Sequence, residues 1–488
     1  VFSKAGSNGD KKVYKIKVFN STSSSININL GVQIGLDYND LNLPSDGHLF
    51  TEYIAKASDT IIENVGNNGG IYDDGEDTFI TGTDPNNYIW YSGKLWRAVS
   101  VNNSAKTIKL VTQGNISAIT YNTNNKTNFE GSYMEEWLND TTVDGFLGNL
   151  REPEKFIVMD AKWNATKDAT SLGRITRPSD DGTIITDAVG LLNIYEYQSS
   201  YHGTNKKSGY LNNGFYWWTL TPYSTSIVYS VNFRGDAANG DLSNAYGIRP
   251  SIVLKSDVKI VSGSGTESDP YRLNGDNDTD LNGVKLNTRY SGEYIKFGND
   301  ENNLYRIVSH EVKGLTKIVS YEPLKKSSTF ITSAFGSSNS FSSTNTTIGK
   351  FLNGEYLTSY VDVRYRNMIE DETIWYLGVV LDGYSYKRAK YVDNSSNTLT
   401  SSTANANVGL LRYGELMFID GNIYTWTLTP YNGVYDASWV HIITFNGSLD
   451  QYSPGSDEGV RPSLNLKSNV IITSGDGTKN NPFTIDLT

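Results

Sequence analysis

The side chains able to do chemistry are few in this sequence. There are four histidines, His48, His202, His310 and His441, and no cysteine. None of the histidines sits in an HExxH or other ligand spacing, and there is no GxSxG string and no phosphate-binding GxxxxGK[ST] loop. Without cysteine there is no disulfide framework, thiolate zinc site or thiol nucleophile. The carboxylates Asp73, Asp74, Glu76 and Asp77 crowd together as glycoside hydrolysis would need, but they fall in a Gly-Asp turn, which reads as a solvated loop. Asp276, Asp278 and Asp280 alternate, as loop oxygens offered to calcium do. They lack the distal bidentate Glu and the sharp-turn Gly, so a charged linker is the alternative. No metal and no cofactor is expected. Trp217, Tyr223 and Tyr431 could lay aromatic faces on a sugar ring. Arg234-Gly235-Asp236 spells a three-letter string that arises by chance.

What must position these residues is a duplication. WTLTPY occurs at Trp218 and again at Trp426. The match extends outward in the same order on both sides. LWRAV at Leu95 pairs with LYRIV at Leu304, YMEEWLN at Tyr133 with TIGKFLN at Thr347, and VGLLNIYE at Val189 with VGLLRYGE at Val408. Tyr246 to Leu273 pairs with Glu458 to Ile485. No histidine and no carboxylate of the acidic turn has an equivalent in the other copy, which argues against shared catalytic chemistry. The chain therefore divides into three parts: an N-terminal piece (1–64), a first repeat (65–275) and a second repeat (276–488). Each repeat, at about 200 residues, can hold its own core.

In the N-terminal piece, SININLGVQIGL alternates strictly and KVYKIKVFN precedes it, which predicts a β-hairpin. Phe50, Tyr53, Ile54, Ala57, Ile61 and Val65 fall at helical spacing, with Ser45 or Asp46 as cap. Within the first repeat, YIWYSGKLWRAVSVN predicts two strands about a Ser-Gly-Lys turn. Ser132 and Glu135 have capping-box spacing ahead of Met134, Trp137 and Leu138, matched in the second repeat by Ile348, Phe351 and Leu352. The second half of each repeat returns to strands. There Trp218 and Trp426 read as core, while Trp217, replaced by Thr425 in the other copy, is the tryptophan expected to face a ligand. Proline holds the preceding Arg extended and ends strand pairing, so Arg249-Pro250 and Arg461-Pro462 read as structural pairs, the Arg bonding a carboxylate or backbone carbonyls. The fold class is α+β and strand-rich.

A Trp-rich strand followed by Gly-x-Arg-Pro and an apolar strand resembles bacterial surface domains of the Gram-positive type. These look like relatives of the C-type lectin and formylglycine-generating-enzyme superfold. The resemblance covers both repeats and implies two tandem C-type-lectin-like domains. The calcium strings of true C-type lectins are absent, Glu152-Pro153-Glu154 being the nearest, and so are the cysteines of the oxidase. Neither activity carries over.

Net charge is −11, which disfavours nucleic acid, and no run of 18 apolar residues exists to span a membrane. Absent cysteine and a start at Val1 fit an exported bacterial chain. The expectation is a non-enzymatic, secreted or cell-surface structural subunit of a pilus- or filament-like appendage. It would self-associate by β-strand addition through its N-terminal piece. The alternative is an adhesin that binds glycans or a host surface through exposed aromatic loops.

Overall fold

The computed structural model describes residues 56–122, 126–143, 145–168, 176–201, 209–242, 244–274, 280–312, 314–377, 380–381, 403–412, 415, 423–432, 438–444 and 449–488. The predicted N-terminal hairpin, Phe50, Tyr53 and Ile54 lie outside these residues, as do His48, His202, Asp276 and Asp278. The chain divides into two compact units, Val1–Ile54 and Ala55–Thr488, and the described residues all belong to the second.

The architecture is strand-rich with short helices, a mostly-β member of the α+β class. Each repeat is built on the same two sheets. In the first repeat one sheet runs through Tyr88–Tyr91, Lys94–Asn102, Ile108–Thr112, Ser251–Leu254 and Val189–Gly190. Its counterpart runs in the same order through Tyr294–Lys296, Leu304–Ser309, Thr316–Ser320, Ser463–Leu466 and Val408–Gly409. The other sheet of the first repeat orders Ala237–Asp241, Ile227–Val231, Trp217–Pro222, Tyr246–Ile248 and Ser117–Ile119. The second repeat answers with Leu449–Tyr452, Val440–Ile443, Thr425–Asn432, Asp457–Gly459 and Thr332–Ala334. The duplicated sequence therefore encodes a duplicated strand order, with a separate hydrophobic core in each copy.

The predicted helix is present only from Ala57 to Glu63, capped by Lys56 without a side-chain bond. Ala57 and Ile61 are buried in the first core, and Ala57 N donates to Val258 O at 3.1 Å. The helix thus belongs to the first repeat, and the boundary expected after residue 64 falls ahead of it. The helix Tyr133–Asn139 starts as expected, with the Ser132 side chain accepting from Glu135 N. The reciprocal half of the box is displaced by one residue, because the Glu135 carboxylate accepts from Gly131 N instead. Asn139 closes this helix onto the neighbouring strand by bonding Val189 through both amide atoms. Asn353 does the same to Val408.

The Arg-Pro pairs mark where the chain leaves one sheet for the other. Tyr246–Ile248 lies in one sheet and Ser251–Leu254 in the other, so the chain crosses at Arg249-Pro250. Proline has no N–H for a ladder, but its carbonyl is free to accept. Pro250 O receives Thr112 N at 3.1 Å, and Pro462 O receives Ser320 N at 3.0 Å. Arg249 donates to Thr112 O and Leu211 O, and Arg461 to Ser320 O and Tyr321 O. Both guanidiniums therefore cap backbone carbonyls at the crossing.

Candidate functional site at the junction of the repeats

Most charged side chains with equivalents in both copies are committed to the fold. Lys109 pairs with Glu196 and lies 5.0 Å from the Trp163 ring centre. Lys317 pairs with Glu415 at 2.7 Å and lies 5.0 Å from Trp375. Arg97 stacks 3.6 Å over Tyr88, and Arg306 stacks 4.3 Å over Tyr294. The second copy adds Glu311 and Arg412 to its lysine, in a buried network of alternating charge. Burial alone would raise the Glu311 carboxyl; Arg412 and Lys317 outweigh it and hold the group well below its usual range. The Lys–Glu–Trp sets were not foreseen, although Lys109, Lys317, Glu196 and Glu415 all lie in segments that align. Trp163 and Trp375 sit in unlike flanks and gave no such signal.

The acidic turn is solvated at Asp73 and Glu76, as expected, but Asp74 and Asp77 turn inward to an ion pair. Asp74 accepts from Arg177 Nε at 2.8 Å and Tyr195 Oη at 2.6 Å, and Asp77 accepts from Arg177 Nη2 at 2.5 Å. Burial would raise the Asp74 carboxyl, but the Arg177 and Tyr195 bonds, with the amides of Asp77 and Glu76, lower it to about 2. A carboxylate so held is an ion-pair partner for Arg177, a cation outside the acidic turn that composition could not pair with it.

The aromatic candidates do not converge. Trp217 is 0% exposed, against the expectation that it faces a ligand. Its ring packs edge-on to Tyr197 and under Arg249, 4.9 Å from the guanidinium, and the opposite strand face is filled by Trp218, also 0% exposed. Both faces of this strand are interior, so alternation could not sort the doublet into inside and outside. Trp218 and Trp426 lie in the two cores and donate Nε1 to equivalent carbonyls, Ile119 O and Ser333 O. Tyr431 is buried against Trp439, and Tyr223 is half-buried against Tyr229. Asp280 is exposed, and among the described residues no cluster of His, Cys, Asp or Glu could hold a metal ion. His310 bridges the carbonyls of Arg289 and Leu315, a structural tie. Arg234-Gly235-Asp236 forms the tip of a hairpin tied by Asn232.

The site that sequence reasoning missed lies between the copies. The turn Ser92-Gly93 joins Tyr91 to Lys94 in a two-residue hairpin, with positive φ at both positions (56° and 73°). It seats against Ser291-Gly292 of the second repeat. A Cβ on Gly292 would come within 2.2 Å of Gly93 O, so the approach needs glycine there. Lys94, 2% exposed, donates Nζ to Ser92 O and, across the junction, to Ser291 O and Ser291 Oγ, at 3.0, 3.0 and 3.3 Å. Burial pushes its ammonium down to about 7; Glu293 opposes the shift and Arg306 adds to it.

Beside this contact Trp90, Tyr294 and Tyr321 form a mixed aromatic core with Leu95 and Leu304. The loop before the last strand of each repeat then meets its counterpart, with Asn480 Nδ2 donating to Ser268 O at 2.8 Å and Arg272 lying 3.8 Å from Asp476. A further apolar contact joins Ala118 to Ile443. Between these contacts lies a cleft of about 590 Å³, lined by both repeats. Periodicity within a strand reports which face is buried, but not which domain buries it, and so the junction was invisible in the sequence.

Residues 106–256 match the model of a family described as a domain of unknown function, DUF6273. The match lies within the first repeat and takes in Lys109, Trp163, Glu196, Trp217, Trp218 and the Arg249-Pro250 crossing. Neither a curated protein nor a solved structure matches the chain. Among the described residues no helix is long and apolar enough to cross a membrane.

Proposed function

We propose that this chain is a non-enzymatic structural subunit of an extracellular bacterial surface or appendage. Two C-type-lectin-like repeats form its body, and the N-terminal segment pairs with a neighbouring subunit by β-strand addition. The observation that carries the reading is the junction. Two copies of one frame are fastened by a buried lysine, a mixed aromatic core and facing loops. Such a body transmits force or spacing from one repeat to the next, which is what a stalk or filament subunit needs. The charged residues shared by both copies are spent inside the frame, which supports a structural role for them.

The alternating run SININLGVQIGL supplies the pairing edge in this reading. The test is sedimentation and electron microscopy of the full chain beside one lacking residues 1–36. Filaments or oligomers of the full chain, absent after the deletion, are expected. A full chain that stays monomeric at high concentration overturns the assembly.

A further inference from the structure

We infer that the open edge of the strand Gly69–Asp73 is where the N-terminal segment of a second copy adds its strand, an inference that rests on the assembly proposed above and names its acceptor. The two copies of the frame differ here. Ahead of its first shared strand, Tyr88–Tyr91, the first repeat inserts a hairpin, Gly69–Asp73 with Asp77–Gly82. The second repeat passes from Leu286–Thr288 to Tyr294–Lys296 through residues 289–293 alone. The shared strand order therefore does not need the hairpin. Its inner strand is fixed, since it pairs with Lys94–Asn102 and buries Phe79 and Ile80. Its outer strand pairs with no other strand among the described residues. Thr83 N donates to Asn68 O and Asp74 N to Asp77 O, and antiparallel pairs alternate between bonded and unbonded. The N–H and C=O groups of Ile71 and Asp73 accordingly point outward, away from the partner strand. No proline or lysine guards this edge.

The surroundings of the edge select the incoming strand. Ile71 stands opposite Ile80 on one face; Ile80 is fully buried, whereas Ile71 is 53% exposed. A third strand with an apolar residue beside Ile71 would continue that row and cover it. The run SININLGVQIGL supplies such a residue at every second position from Ile26 to Leu36. Charge points the same way. The turn beside the edge holds Asp73, Asp74, Glu76 and Asp77, of which Arg177 offsets one. Residues 1–36 carry five lysines and one aspartate, a net +4 in a chain of −11. A basic segment is drawn to this edge, while the acidic turn of another copy is repelled by it. The hairpin is thus open to the N-terminal strand and closed to itself.

The test places p-benzoylphenylalanine in the full chain in place of Ile71, mixes it with a heavy-isotope-labelled copy and maps the photo-crosslinks by mass spectrometry. Crosslinks to residues 26–36 of the other copy are expected. Beside it, Ile71→Lys puts a charge on the edge in place of the apolar contact and should raise the concentration needed for assembly about tenfold. Lys15→Glu with Lys17→Glu leaves the acceptor hairpin untouched, so it decides the matter should Ile71→Lys fail to fold. It should weaken assembly at low salt and less so at high salt. Ile374→Lys is the control, an isoleucine 49% exposed on another strand with one partner, Thr373–Tyr376, and should leave assembly unchanged. Crosslinks within one copy or to any other segment overturn the inference, as does a loss of assembly with Ile374→Lys. So does assembly that survives Ile71→Lys, or the paired lysine reversal, while deletion of residues 1–36 abolishes it. Those results leave the assembly itself standing. A full chain that never assembles overturns both.

Discussion

Lys94 shows at the scale of one residue how the junction is held. Its ammonium is dry, bonded to both repeats and lowered to about 7 from an ordinary value of 10.5. Between these values the unfolded chain binds more protons than the folded one, so stability rises with pH through that window. Below pH 7 the folded state carries the full cost of the buried charge. From pH 7 to 9, ahead of the titration of the buried tyrosines, Lys94 should add about 2 kcal/mol of stability. Lys94→Met should flatten that rise in denaturant titrations, and an identical slope in the variant would contradict the assignment. The sequence puts Lys94 in a Ser-Gly-Lys turn; the turn is there but spans only Ser92-Gly93, and Lys94 opens the next strand. What it withheld was the second repeat lying on top of that turn, and with it the burial that gives the residue its character. Trp217 carries the same lesson in reverse. Its difference from Thr425 looked like exposure, but the residue fills interior space and stacks beneath Arg249.

At the scale of elements, the frame depends on short strands pressed against tryptophans. Gly190 ends the strand Val189–Gly190 against Trp163, where an added Cβ would lie 2.4 Å from the ring; Gly409 does the same against Trp375, at 2.8 Å. Gly190→Ala and Gly409→Ala should each lower stability by about 1–3 kcal/mol through overpacking. Calorimetry on the two variants checks this, and neutral substitutions would show that the strands have room to move. These glycines, the paired asparagines Asn139 and Asn353 and the Arg-Pro crossings were all written in aligned segments. The strand order was therefore largely legible once the duplication was seen. The helix at Ala57–Glu63 was legible as a helix but not as part of the first core. Its apolar spacing continues upstream, and only packing against Val258 shows where it belongs. The Lys–Trp stacking lay hidden because each tryptophan arrives from a segment whose flanks have diverged.

At the scale of the whole molecule, the claim is that residues 56–488 behave as one body rather than as two domains on a tether. The linker is polar and would permit beads on a string. The aromatic core of Trp90, Tyr294 and Tyr321 and the hold of Lys94 on Ser291 argue for a fixed relation instead. Both the spacer role and the cleft depend on it, since neither survives if the repeats tumble independently. The chain has no cysteine of its own, so two introduced thiols can be labelled without background. Val143 in the first repeat and Val363 in the second are 71% and 69% exposed and suit that purpose. Spin labels on Val143→Cys and Val363→Cys, read by pulsed dipolar spectroscopy, measure the relation directly. A single narrow distance distribution is predicted. A broad distribution, as from two bodies on a flexible linker, would contradict the account.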